Sequence, residues 1–132
     1  MILVVDDQEL VCEGIRRMLE AAGFAAVTAL SGRTGIALFR RHASEIRAVL
    51  LDLRLPGESA AAAFDEMRRI RPDIPVILFS GTPEEVARRE LARAGLAGFL
   101  QKPFGFEQLI RKLRDVLEEE PGAGDRRAAA DG

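Results

Sequence analysis

The chain has 132 residues, enough for one domain with a real core and too few for two ordinary ones. Its 48% apolar content argues against wholesale disorder, and a net charge of −2 gives no drive towards nucleic acid or an anionic membrane. A single cysteine, Cys12, excludes an internal disulfide and a cysteine metal cluster. No apolar run approaches the ~20 residues that span a bilayer. The N-terminus has no basic region and reaches acidic residues at once, so a cytoplasmic protein without a secretory signal is expected.

In chain order, Ile2–Val5 is a short apolar run that ends in Asp6-Asp7. Val11, Ile15, Met18, Leu19 and Ala22 recur at helical spacing, and Gly23 stops that helix. Cys12 reads as a small packed side chain of the same helix. Phe24 to Leu30 alternates loosely, as suits an edge strand, and Ser31-Gly32 starts a helix containing Ile36 and Phe39. Val49-Leu50-Leu51-Asp52 is an apolar run that delivers one carboxylate before the turn at Pro56-Gly57. Its continuous hydrophobicity predicts a strand buried on both faces of a parallel sheet. Ala63, Phe64, Met67 and Ile70 mark a third helix, and Pro75–Phe79 a further buried strand ending at Ser80-Gly81.

Thr82-Pro83-Glu84-Glu85 predicts a fourth helix with Thr82 as N-cap, Pro83 at the first helical position and Glu85 closing a capping box. That helix is expected to run through Ala94 on a thin stripe of Val86, Leu91 and Ala94, the loosest packing in the fold. Leu96 to Gln101 is the fifth strand, followed by Lys102-Pro103. Phe106, Leu109, Ile110, Leu113 and Leu117 give the clearest amphipathic helix. From residue 119 the chain turns acidic, then small and polar, which predicts a tail or linker over 119–132 after a domain of 1–118. Strands alternating with helices through short connections predict an α/β fold, a doubly wound parallel sheet with right-handed crossovers.

In such a sheet the strand ends share one edge, where open α/β folds place their chemistry. Asp6, Asp7, Asp52, Ser80 and Lys102 therefore converge. Lys102 is one of only two lysines, the other being Lys112. Clustered carboxylates raise a pKa or recruit a cation. An all-oxygen donor set suits a hard ion, most simply Mg²⁺. A carboxylate is also a nucleophile towards phosphorus, and Lys102, Ser80 and a Mg²⁺ ion are the groups that would neutralise phosphoryl oxygens. Phosphoryl transfer onto Asp52 is the chemistry these residues fit.

Val4-Val5-Asp6-Asp7, Leu51-Asp52-Leu53-Arg54-Leu55-Pro56-Gly57, Leu78-Phe79-Ser80-Gly81 and Phe99-Leu100-Gln101-Lys102-Pro103-Phe104 occur in the order and rough spacing of one family's motifs. From Ile2 to about Leu117 the chain resembles a response-regulator receiver domain of two-component signalling, stand-alone or a segment of a hybrid histidine kinase. The resemblance implies a flavodoxin-like fold of strand order 2-1-3-4-5. It implies that a histidine kinase or phosphotransfer protein donates a phosphoryl group to Asp52, with Asp6, Asp7, Asp52 and the backbone carbonyl of Arg54 around Mg²⁺. Ser80 and Lys102 would contact the phosphoryl group, and Phe99 would turn inward as Ser80 moves, changing the face of the fourth helix, fifth strand and fifth helix for a downstream protein partner. A cis Lys102-Pro103 bond is implied as well.

Two features depart from the family: Ala60 stands where a glycine is usual, and Phe99 lacks a hydroxyl. Neither enzyme turnover on an external substrate nor direct nucleic-acid binding is expected. The rival reading is a receiver-like interaction module that signals without phosphorylation. A small phosphohydrolase is disfavoured because Arg54 stands where such enzymes place a second aspartate.

Overall fold

A computed structural model describes residues 1–91 and 96–118 of the chain. Five strands alternate with five helices: β1 (Ile2–Val5), α1 (Glu9–Ala21), β2 (Ala26–Ala29), α2 (Gly32–Arg41), β3 (Ala48–Asp52), α3 (Ala60–Ile70), β4 (Val76–Ser80), α4 (Glu84–Glu90), β5 (Leu96–Gln101) and α5 (Phe106–Glu118). The strands are all parallel in the order β2-β1-β3-β4-β5, the flavodoxin-like arrangement the sequence implied. Expected residues 119–132, and Ala94 of the expected fourth helix, lie outside the described residues.

The three central strands carry apolar side chains at every core position because both faces of the sheet are covered. Strand alternation divides them between two cores. Leu3, Val5, Val49, Leu51, Val76 and Leu78 pack with Phe39, Phe64 and Met67 under α2, α3 and α4. Ile2, Val4, Leu50, Ile77 and Phe79 pack with Ile15, Leu19, Leu109 and Leu113 under α1 and α5. Cys12 belongs to the second core, as expected; burial, reinforced by the nearby Asp6 carboxylate, pushes its thiol up to about 11.

Helix packing on this sheet makes opposite demands of two glycines. A Cβ on Gly35, in α2, would come within 2.8 Å of Val5 Cγ2, a branched side chain with no exposed surface to retreat into. A Cβ on Gly14, mid-way along α1, would meet nothing within 4 Å. Gly14→Ala should therefore stabilise by about 0.5–1 kcal/mol through helix propensity. Gly35→Ala should cost about 1–2 kcal/mol net, because overpacking outweighs the same gain. Urea midpoints moving in opposite directions would establish the close approach of α2 to β1; midpoints moving together would refute it.

The structure corrects the sequence at both ends of the last crossover. Thr82 does not cap α4. Its backbone N–H donates to Ser80 Oγ at 3.0 Å, and the helix begins at Glu84. Pro83 occupies the N-cap position with an extended backbone (φ −56°, ψ 147°), and its carbonyl accepts from Val86 and Ala87. Ser80 Oγ holds the Thr82 N–H that Glu85 would have accepted, and the predicted capping box is unmade. The helix ends at Glu90, so Leu91 follows it, and Ala87 rather than Val86 is its buried contact. In α5, Phe106 is 44% exposed; the stripe is completed at the other end by Val116.

Candidate functional site at the carboxyl edge of the sheet

The predicted edge constellation rests on hydrogen bonds that prolong the ladder. Asp6 N–H donates to Ala29 O (3.1 Å), Leu53 N–H to Phe79 O (3.0 Å) and Lys102 N–H to Ser80 O (2.7 Å). Backbone positions at the ends of all five strands are thus fixed before any side chain is considered. The Lys102-Pro103 bond is cis, as implied.

Asp6, Asp7 and Asp52 each bring a carboxylate oxygen within 4.8 Å of the others. Asp6 and Asp52 are buried, at 0% and 3% exposure, whereas Asp7 faces solvent. Two carboxylates are oriented by local backbone: Asp6 Oδ1 accepts from Gln8 N–H (2.8 Å) and Asp52 Oδ1 from Arg54 N–H (3.1 Å). Their other oxygens face Lys102 Nζ, 3.1 Å from Asp6 Oδ2 and 3.5 Å from Asp52 Oδ2. Gln8, not Asp7, stands at the N-cap of α1, so Asp7 is not spent on capping. Burial, reinforced by the neighbouring Asp6 charge, raises Asp52 to about 6 against the opposing pull of the Arg54 N–H and Lys102.

The donor set fits a hard divalent cation. It is all carboxylate oxygen, it faces water through Asp7, and three carboxylates against one ammonium leave two negative charges to neutralise. Ser80 lies at the same edge but is fully buried, with Oγ engaged by the Thr82 N–H. The Arg54 side chain leans away from the carboxylates, to Glu90 (2.8 Å) and Thr82 Oγ1 (3.4 Å).

Phe99 is not at the edge. It is 4% exposed, in the core of α3 and α4 with Phe64, Leu78 and Ala87, so the expected inward turn has no outward ring to start from here. Phe79 was missed by the sequence reading: its ring lies 5.0 Å beneath Lys102 Nζ and meets Phe104 edge-on at 6.0 Å. An aromatic immediately before Ser80, on the strand paired with Asp52, was the available signal. His42 stands at the C-cap of α2, facing Glu45.

Comparison with known proteins follows the same line. Residues 2–114 match the family model described as the response regulator receiver domain. The chain is 32% identical over 130 residues to the sensory transduction protein RegX3 of Mycolicibacterium smegmatis, covering 98% of this chain and 55% of that protein. It is 30% identical over 119 residues to the sensor kinase CckA of Brucella abortus, covering 90% of this chain and 13% of that one. The chain thus spans about half or less of the length of these curated relatives. A crystal structure of a response regulator receiver domain protein from Clostridium thermocellum superposes with a TM-score of 0.81 at 26% identity, covering 89% of this chain and 93% of that one.

Proposed function

We propose that this chain, which belongs to the response regulator receiver domain family, accepts a phosphoryl group on Asp52 from a phosphohistidine of a histidine kinase or phosphotransfer protein. The observation that carries the reading is the buried Asp52 carboxylate between Asp6, Lys102 and the Arg54 N–H. In the transfer an Asp52 oxygen forms a bond to phosphorus, the bond from phosphorus to the donor's imidazole nitrogen breaks, and the imidazole keeps the electron pair and takes a proton. An acid that ionises at about 6 is a carboxylate at neutral pH, yet poorly solvated and so a better nucleophile than a surface aspartate.

Asp6, Asp7, Asp52 and the Arg54 backbone carbonyl would hold Mg²⁺. When bound, the ion supplies positive charge to the phosphoryl oxygens. Lys102 supplies a second, fixed positive charge to them. Leu10 and Phe106 are 86% and 44% exposed at the starts of α1 and α5, on the same edge, and offer the donor an apolar rim. The phosphoryl group adds about −1.5 to −2 charge. Ser80 Oγ then turns to it and gives up the Thr82 N–H. That release reaches α4 through the Thr82-Pro83 segment, and Phe99 couples the movement by its packing against Ala87 and Leu91. A downstream protein reads the altered face of α4, β5 and α5. The functional unit is residues 1–118.

Intact mass after incubation with acetyl phosphate is the test. One phosphoryl adduct is expected with Mg²⁺, none with chelator, and none for Asp52→Asn. If neither acetyl phosphate nor a phosphorylated histidine donor modifies the chain, the reading is wrong and a phosphorylation-independent module takes its place.

A further inference from the structure

The β3–α3 connection carries the Arg54 carbonyl, yet its local bonds hold it only near Asp52. Beyond Arg54 the chain makes a tight turn, Leu55-Pro56-Gly57-Glu58. It is closed by Glu58 N–H donating to Leu55 O at 3.0 Å, with Gly57 at φ +71°, the left-handed value a type II turn requires. The turn sends the Glu58 side chain across to another element. Glu58 Oε2 accepts from Gly32 N–H at 2.8 Å and Oε1 from Arg33 N–H at 3.0 Å, both at the start of α2.

α2 has no acidic residue in its own first turn, and Ser31 Oγ takes only the Thr34 N–H. A carboxylate from 25 and 26 residues away fills the remaining places, in the favourable field of a helix N-terminus. Gly32 has no side chain to obstruct it: a Cβ there would stand 3.3 Å from Glu58 Oε1. Leu55, 4% exposed, packs beside the same glycine. On its other side the connection is tied by Arg54 to Glu90, an exposed pair that water screens.

We propose that Glu58 is a positioning residue for the magnesium site: by clamping the Leu55–Glu58 turn to α2 it fixes the height of the Arg54 carbonyl above the Asp52 carboxylate. Mg²⁺ tolerates little departure from octahedral geometry, so a backbone ligand on a free connection would cost affinity. The inference rests on the reading of Asp6, Asp7, Asp52 and the Arg54 carbonyl as the ion's ligands.

Amide NMR titration with MgCl₂ alone tests it, on the wild type, Glu58→Ala, Glu58→Gln and Ser31→Ala. Glu58→Ala should weaken Mg²⁺ binding about 10-fold, the scale of lost outer-shell support. Glu58→Gln keeps one acceptor oxygen and should fall between, a variant that serves as well if the alanine change prevents folding. Ser31→Ala removes a cap from the same helix without touching the connection. It should lower the melting temperature comparably and leave the Mg²⁺ affinity unchanged. If the Glu58 variants lose stability but bind Mg²⁺ as the wild type does, Glu58 is a helix cap and the proposal is overturned. If the wild type itself shows no Mg²⁺ shifts at Asp7 and Asp52, the ligand assignment fails first and Glu58 has nothing to position.

Discussion

Lys102→Ala is expected to destabilise the metal-free domain by about 2–3 kcal/mol, shifting the urea midpoint by roughly 1–2 M. Asp6 has no exposed surface, and Lys102 Nζ is the cation at its Oδ2, 3.1 Å away. Asp52 Oδ2 stands 3.5 Å from the same nitrogen. Removing the ammonium leaves two buried carboxylates beside each other, each with a single backbone N–H. Breaking a fully buried pair costs about 3–5 kcal/mol; the Lys102 side chain is 26% exposed, so water recovers part of that.

Two controls assign the loss to charge. Lys102→Met keeps a long apolar side chain but lacks the ammonium that stands 5.0 Å from the Phe79 ring centre, and should lose nearly as much as the alanine variant. Mg²⁺ should restore most of the loss in both, because the site without its lysine carries one more uncompensated negative charge and binds the ion more tightly. If Lys102→Met is as stable as the wild type, or if Mg²⁺ restores nothing, packing and not charge is what Lys102 contributes.

That the lysine directly after the fifth strand would lie beside the aspartates was legible in the sequence, and so was most of the fold. Ile2–Val5, Val49–Leu51 and Val76–Phe79 are unbroken apolar runs bounded by polar or turn residues, the pattern of a short strand covered on both faces. Each hands its next residue to the same edge, as the fifth strand does Lys102, so the carboxylates, Ser80 and Lys102 share that edge by topology. What escaped was decided by competition or by distance. Thr82 has the residue type and spacing of a cap, but Pro83, with ψ at 147°, stays outside the helix and takes the N-cap position, and Ser80 Oγ accepts the Thr82 N–H that a capping box would give to Glu85. Phe106 fits the helical stripe but occupies the first turn, which overhangs the sheet edge. Glu58 reaches an N-terminus 25 residues earlier, a relation that no local period records. Its faint trace is negative: α2 starts without an acidic residue, and a surface turn carries one.

Asp52→Asn should stabilise the metal-free domain at neutral pH, and the gain should vanish in acid. In the folded chain Asp52 ionises at about 6, against 3.8 for an ordinary aspartate, because burial and the Asp6 charge disfavour the carboxylate. Between those values the folded state holds a proton that the unfolded state has released, so stability falls as pH rises from about 4 to about 6 and is flat above. A rise of that size corresponds to about 2–3 kcal/mol at pH 7. Asparagine has no proton to lose and keeps an oxygen for the Arg54 N–H, so it avoids the penalty. Glu13 and Glu66, held below the usual carboxylate range chiefly by hydrogen bonds from Arg16 and Arg69, act in the opposite direction in acid. They are unchanged in the variant, so the difference between the two proteins isolates Asp52. Urea unfolding in chelator should therefore give a stability difference near zero at pH 4 that grows through pH 6 and then holds. With saturating Mg²⁺ the wild type should recover and the variant gain far less, since the substitution removes a ligand charge. A difference independent of pH would mean that Asp52 ionises like a surface aspartate, and the account of its reactivity by desolvation would fall with it.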